Sequence, residues 1–567
     1  MEANDRPRKA CDLCYTRKIK CDGQEPRCSN CISYGTSCTH AALSRKSKPK
    51  AQRNGRAKET DEVQSLRTLV QRLKAQLRRV QERMQDHPQD PKQPHVTIGR
   101  LEDGPASDED DAIGSMALPP LQQALPMVHS FLNNFNSVLP LFHADTLLGL
   151  VGECYALSPP QRDPVVWAAI NVVLALATFS EQAPPIGNRS TIKPRTVQTT
   201  EYLNKAQSVL STVMLGEVGL LNIQTLVGMV MVLQSSHDNT PALILISATM
   251  RLAHKMGLHN RSASSHLDPV EREQRANVFW LAYILDKDLS LRAHQPSVQL
   301  DDDIDLNLPS SSQTHPERQS STAGVITAGS GNSNMSYFLA RVQLANIEGS
   351  LYDCLYSTRA LNRSPEERSK ARDSIVNALE EWQVSIPHEF GAAVVASSTS
   401  NNPAHINFFC LLYSTSFQCM TLINRAHAWD QQWISDLRDH GKGTQALQLP
   451  SGWESLVHQA RDLMVLLGEV WSKDVWFRWM VSCTYLSAMV LLTVNNLHNV
   501  QHDKIQIDSQ LVDVALLWLN NVPEEVQSEQ VWVLRDVCAE AIRQVRWKHA
   551  EAIGLVSGNH LPLESSQ

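Results

Sequence analysis

The stretch Cys11-Asp-Leu-Cys14-Tyr-Thr-Arg17-Lys18-Ile-Lys20-Cys21-Asp-Gly-Gln-Glu-Pro26-Arg-Cys28-Ser-Asn-Cys31-Ile-Ser-Tyr-Gly-Thr-Ser-Cys38 decides how the N-terminal part of this chain folds. Six of the 12 cysteines of the 567-residue chain lie in it, and their gaps repeat. Cys11-x2-Cys14-x6-Cys21 is followed by Cys28-x2-Cys31-x6-Cys38, so each half offers three sulfurs, one short of a tetrahedral zinc site. Two four-coordinate zinc ions need eight ligand positions, and six sulfurs fill them only when two sulfurs bridge both metals. The repeat makes the bridging pair equivalent members of each half, with Cys11 and Cys28 the natural candidates. Leu13, Ile19, Ile32 and Tyr34 are nearly all the large apolar side chains available, too few for a hydrophobic core. The metal is therefore expected to hold the fold, since structural zinc supplies on the order of 10 to 16 kcal/mol in small peptides. The cluster would carry two negative charges, which the interleaved lysines and arginines offset while favouring thiolate.

The opening residues Met1 to Asp5 start no apolar run of the secretory kind, so the thiols are expected to stay reduced, which argues against a disulfide-stapled module. The doubled spacing suits an iron–sulfur centre poorly. Cys154, Cys354, Cys410, Cys419, Cys483 and Cys538 are scattered through apolar sequence and read as small buried hydrophobes.

Lys9-Ala10-Cys11-Asp12-x-Cys14, then Arg17-Lys18-Ile19-Lys20-Cys21-Asp22, then Pro26-Arg27-Cys28 and Cys31, resemble the fungal binuclear zinc-cluster, Zn(2)-C6 type, transcription factors. The resemblance implies a domain over residues 8–40 whose short helix after the first cysteine enters the major groove and reads a CGG triplet. Lys18 is then expected on guanine edges, and Arg17 and Lys20 on phosphate. These roles are chemically sound, because guanine presents two major-groove acceptors and phosphates accept from any cation. Pro26 matches the family's loop proline. Tyr15 stands where arginine is usual, which takes one phosphate contact out of the expectation.

Working outward, residues 1–84 hold 20 Lys and Arg against 9 Asp and Glu, so a chain of net charge -7 has a head of +11 and a remainder of -18. A basic head on an acidic body suits a polyanionic partner for the head alone. Residues 41–61 form a basic linker, with Arg45, Lys46, Lys48, Lys50, Arg53, Arg56 and Lys58, fitted to lie along DNA phosphates or to act as a nuclear import signal.

In residues 62–85, Val63, Leu66, Val70, Leu73, Leu77, Val80 and Met84 recur at alternating spacings of three and four. That heptad predicts a short parallel coiled coil and a homodimer, with Val63, Val70, Leu77 and Met84 at a. Pro88, Pro91 and Pro94 set it off from the C-terminal remainder of the chain. A dimer would present two clusters to two half-sites, with the 24 residues between Cys38 and Val63 helping to set their spacing.

Residues 86–117, with Asp108-Glu109-Asp110-Asp111, are expected to form a disordered acidic linker. From 118 to 550 apolar residues recur at helical spacing, which predicts a large all-α domain with a disordered loop at 312–336 and a C-terminal tail at 551–567. Val165 to Phe179 and Met480 to Val494 fall short of a bilayer span and are expected as buried helices, so no membrane partner is predicted. Phe131 to Leu148 with Leu139-Pro140-Leu141-Phe142-His143, Met250 to His259, Val278 to Asp286 and Asp301 to Asp305 resemble the fungal-specific transcription factor domain. Ala293-His294 stands where that domain commonly has glycine, and its arginine cluster is thinned to Arg272 and Arg275.

His254 and His259 lack ligand spacing and are expected to be structural. Phe279 and Trp280 read as core anchors, and Asp286 and Arg292 as a pair or cap. No phosphate loop, nucleophile elbow or zinc-hydrolase motif occurs, so no enzyme is predicted. The two resemblances together imply a pathway-specific regulator of RNA polymerase II transcription in the nucleus, with double-stranded DNA, the transcription machinery and a small-molecule effector as partners. The rival is a zinc-stabilised protein-interaction module on a helical scaffold.

Overall fold

A computed structural model of the chain describes residues 10–39, 116–180, 195–309, 323–397, 405–441, 448–471, 475–521 and 529–552, with Lys18, Glu25, His237, Ser330, Asn332, His427 and Trp429 excepted. Two compact units divide the chain, Met1–His95 and Val96–Gln567. The expected basic linker, the coiled coil with Val63, Leu66, Val70, Leu73, Leu77, Val80 and Met84, nearly all of the acidic linker and the C-terminal tail lie outside the described residues.

Two one-turn helices, α1 (Asp12–Thr16) and α2 (Ser29–Ser33), are the described regular elements of the first unit. Cys11, Cys14, Cys28 and Cys31 are fully buried there, whereas Ile19, Ile32 and Tyr34 are exposed. Among the described residues of this unit, the fully buried side chains are cysteines.

The second unit is helical, and it begins earlier than expected. Met116 is buried, and its carbonyl accepts from Arg162 Nη1 at 2.6 Å, so the last residues of the expected linker 86–117 belong to the body. Helix α3 (Leu121–Ser130) runs into a π-helical turn (Phe131–Asn136) that buries Phe131 and Phe135. Asn136 then clamps the Leu139-Pro140-Leu141-Phe142 turn, its amide and carbonyl each bonding the Phe142 backbone at 2.8 Å. Gln224 and Gln274 both donate to the Leu141 carbonyl, at 2.7 and 2.8 Å, which ties this turn to two later helices.

Helices α4 (Ala144–Ala156), α5 (Pro164–Ser180), α6 (Arg195–Gln207), α7 (Leu210–Leu215) and α8 (Leu220–Leu233) come next. Every residue of α8 from Asn222 onward is buried, so its apolar run marks a core helix. It lies close against α5 at Gly228, where an added Cβ would stand 2.3 Å from Val172 Cγ1. Helix α9 (Thr240–Lys255) packs on α8, and α10 (Pro269–Arg292) packs on α9. Asp268 caps α10 by accepting from the Val270 and Glu271 amides, and Pro269 stands at its first position.

The helix ends on a left-handed residue, the position glycine commonly fills. Here His294 occupies it with φ 53°, and its ring packs against Tyr356 at 5.8 Å between centroids.

The expected disordered loop at 312–336 is corrected in its second half. Val325–Thr327 (β1) and Asn334–Ser336 (β2) pair antiparallel, with Ile326 and Met335 buried. Gly and Ser there serve a hairpin and hide its two inward hydrophobes from a compositional reading.

Helix α11 (Tyr337–Leu351) starts where β2 ends and passes into a π-helical turn (Tyr352–Tyr356), followed by α12 (Thr358–Leu361), α13 (Pro365–Ser385) and α14 (Ala392–Ser397). The remainder is α15 (Ile406–Ile423), α16 (Gln431–Gly441), α17 (Trp453–Trp471), α18 (Val475–His498), α19 (Ile505–Asn520) and α20 (Glu529–Ala552). Ile406–Ile423 and Met480–His498 are long and apolar enough to cross a membrane, but 78% of each is buried, as suits core helices. Arg461 grips the buried Asp508 through two bonds of 2.6 and 2.9 Å, fastening α17 to α19.

Candidate metal centre and nucleic-acid interface

The repeat in the sequence becomes a repeat in space. Cys11 directly precedes α1 and Cys28 caps α2, while Cys14 and Cys31 lie within those helices and Cys21 and Cys38 come after them. Two hydrogen-bond pairs knit the halves together. Asp12 N donates to the Thr39 carbonyl at 2.8 Å and the Thr39 hydroxyl to Asp12 at 2.9 Å; Ser29 donates to Asp22 through both its amide and its hydroxyl. Asn30 adds a third tie, donating to Lys20 O at 2.9 Å and to Cys14 Sγ at 3.6 Å.

The six sulfurs fall into two groups of four, Cys11, Cys14, Cys21, Cys28 and Cys11, Cys28, Cys31, Cys38, each within 4.8 Å, and both groups contain Cys11 and Cys28. The Cys11–Cys28 and Cys14–Cys28 sulfurs are 3.7 Å apart and the Cys11–Cys31 sulfurs 3.6 Å. A tetrahedron of Zn–S bonds of about 2.3 Å has edges of roughly 3.8 Å, so these spacings suit zinc.

Charge agrees with this. Amide N–H groups of Cys14 and Cys31 reach the sulfurs of Cys11 and Cys28 and lower both thiol pKa values. The two sulfurs common to both groups are thus the ones the backbone prepares as thiolates. Burial first, then the crowding of other sulfurs, pushes the Cys14 thiol up to about 12 and raises Cys31 as well. Only a cation among them makes these thiolates stable at neutral pH, which is how zinc binds cysteine.

Arg17 and Lys20 are exposed beyond α1, and Lys18 lies outside the described residues. The Arg17 guanidinium rests over the Tyr34 ring, 4.4 Å from its centroid. Sixteen residues lie between the two, so the spacing rule that found the cysteines could not reveal this contact. Asp22, Ser29 and Asn30 were missed for the same reason.

In the second unit His254 shares a 2.6 Å hydrogen bond with Gln299, while His259 has a buried Nδ1 without a hydrogen-bond partner. Asp286 and Arg292 do not pair. Asp286 accepts the Val298 and Gln299 amides at 3.1 and 2.9 Å, and Arg292 binds Asp288. Phe279 and Trp280 are core residues, and Trp280 Nε1 donates to the Asn307 carbonyl. Of the six other cysteines, Cys154, Cys410, Cys419 and Cys538 are buried, while Cys354 and Cys483 are half-buried.

A binuclear thiolate cluster ahead of a large helical body defines a zinc-dependent regulator of transcription. Residues 9–48 match the fungal Zn(2)-Cys(6) binuclear cluster domain and residues 128–383 the fungal specific transcription factor domain. The chain is a fungal zinc-cluster transcription factor, with two zinc ions as its cofactors, and belongs to a family of transcription factors rather than enzymes. It is 27% identical to an ABC-transporter-regulating transcription factor of Aspergillus oryzae, over 94% of this chain and 72% of that one. An ABC-transporter-regulating transcription factor of Aspergillus fumigatus is 31% identical over 75% of this chain and 46% of its own length. The fusaridione A cluster transcription factor of Fusarium heterosporum is 24% identical over 79% and 80%.

Proposed function

We propose that this transcription factor acts in the nucleus as a homodimer that reads CGG-type half-sites and controls a narrow set of genes. The observation that carries the reading is the pair of four-sulfur groups sharing Cys11 and Cys28 next to the exposed cations Arg17 and Lys20. Cys11 and Cys28 bridge the two zincs, and Cys14, Cys21, Cys31 and Cys38 complete the tetrahedra. The cluster holds the segment after α1 rigid, so that Lys18 meets guanine O6 and N7 while Arg17 and Lys20 hold phosphates. Tyr34 supports this arrangement by restricting the guanidinium of Arg17. The coil of residues 62–85 joins two heads, and the helical body passes the output to the transcription machinery.

Charge variants of the full-length chain test the contacts. Lys18→Glu is expected to erase discrimination between a CGG duplex and a scrambled one, a loss of roughly 1 to 3 kcal/mol for each base contact. Lys20→Ala should weaken both duplexes alike and flatten the salt dependence by about one charge. Undiminished discrimination in Lys18→Glu would instead mark the cluster as a protein-interaction module.

A further inference from the structure

The repeat of the head is kept in its clasps and broken at one position. Aligning the halves on their cysteines pairs Asp12 with Ser29, Leu13 with Asn30, Lys20 with Ser37 and Asp22 with Thr39. The bond between Asp12 and Thr39 then corresponds to the one between Ser29 and Asp22, with acid and hydroxyl exchanged. Asn30 has no such counterpart, because the side chain of Leu13 offers no polar atom.

The unmatched tie falls on the half that carries the charges. Residues 15–20 hold Arg17, Lys18 and Lys20, whereas residues 32–37 hold no cation. From α1, the Arg17 amide donates to the Leu13 carbonyl and the Ile19 amide to the Cys14 carbonyl, both at 3.0 Å. Asn30 continues this fastening to Lys20 from the other half of the repeat. A side-chain amide has two N–H groups to give. The Asn30 Nδ2 atom lies 2.9 Å from the Lys20 carbonyl oxygen and 3.6 Å from Cys14 Sγ, the latter an ordinary contact for an acceptor as large as sulfur.

We propose that Asn30 is a positioning residue, whose amide ties the backbone of the basic segment to a terminal zinc ligand and so holds the DNA-facing cations in register with the metal site of Cys14 and Cys21. A group that hydrogen-bonds a metal ligand orients it, and losing such a group commonly costs roughly 10- to 100-fold in metal affinity or activity. The inference rests on the ligand and DNA contacts proposed above, and it adds a division of labour between the halves: the first presents the cations and the second braces them.

Asn30→Leu tests this in the full-length, zinc-loaded chain, because leucine is the residue that the repeat places at the equivalent position. Alkylation by N-ethylmaleimide in the presence of a zinc chelator is read cysteine by cysteine with peptide mass spectrometry. It is expected to run about tenfold or more faster than in the parent at Cys14 and Cys21, and at the parent rate at Cys31 and Cys38. A general loosening would speed all four, and leucine, being larger than asparagine, opens no new path to the sulfur. In the variant loaded with both zincs, discrimination between a CGG duplex and a scrambled one should fall about tenfold. Affinity for the scrambled duplex and its salt dependence should hold, since non-specific binding counts charges and not their arrangement. Asn30→Ala, which favours a helix, carries the same test if Asn30→Leu does not fold. Equal acceleration at the four cysteines, parent rates at Cys14 and Cys21, or undiminished discrimination would overturn the proposal. A parent that distinguishes no sequence would remove the DNA reading instead, and the alkylation rates would then decide the tie alone.

Discussion

Cys11 and Cys28 each belong to both four-sulfur groups, and the other four cysteines to one. Losing a shared sulfur should therefore cost both metals, and losing a terminal one chiefly its own. Metal analysis of folded, full-length protein is expected to find about two zincs in the parent, well under one in Cys11→Ser and about one in Cys21→Ser; equal losses in the two variants would contradict the bridging roles. In the body, Glu348 has a folded pKa raised above the usual 4.5 by burial and by Asp288. The stability that protonated Glu348 contributes is fully present below that value and is lost as pH rises through its folded pKa. Glu348→Gln keeps the shape of the side chain and cannot ionise. Its urea midpoint should match the parent near the low end and exceed it increasingly at higher pH; a constant gap would refute a raised Glu348 pKa. That the six cysteines gather into two groups was legible in the sequence because their spacing within a short loop is itself geometry. Glu348, Asp288 and Arg341 were not, because a helical pattern tells which face is buried and not which charges meet inside it.

Helix boundaries carried their own signals where capping chemistry was strong. Ser364 and Glu367 form a capping box at the start of α13, with the Glu367 amide donating to the Ser364 hydroxyl and the Ser364 amide to the Glu367 carboxylate. Ser364→Ala should cost about 1 kcal/mol of stability, read as a shift in denaturant midpoint with unchanged slope. The hairpin β1–β2 ran the other way. Its strands are three residues each and hold one inward hydrophobe apiece, so Gly/Ser/Thr composition outweighed the alternation. His294 shows a similar limit, since it ends α10 in the left-handed region without glycine, and its ring meets Tyr356, more than 60 residues away. The heptad of residues 62–85 predicts that Leu73→Glu converts a dimer to a monomer by sedimentation equilibrium. Binding to paired CGG sites should then fall by about two orders of magnitude while a single triplet is bound as before; a parent that sediments as a monomer would refute the coil.

At the scale of the molecule, the two units owe their stability to different things. The body buries continuous apolar helices such as α8, whereas the described residues of the head bury little besides sulfur. The charge asymmetry in the sequence already separated them, and it assigned the polyanion to the head. What the sequence could not show is how the body forms a cleft, because its walls come from residues between Phe135 and Met480 that only the folded helices bring together. The central claim is that the zinc-organised head reads DNA by sequence. Its most direct test is selection of bound duplexes from a random pool by the full-length chain, with and without a zinc chelator that leaves the Tm of the body in place. The account predicts enrichment of paired CGG triplets that disappears on chelation. Zinc-loaded, folded protein that enriches no sequence, or enrichment that survives removal of the metal, would contradict it.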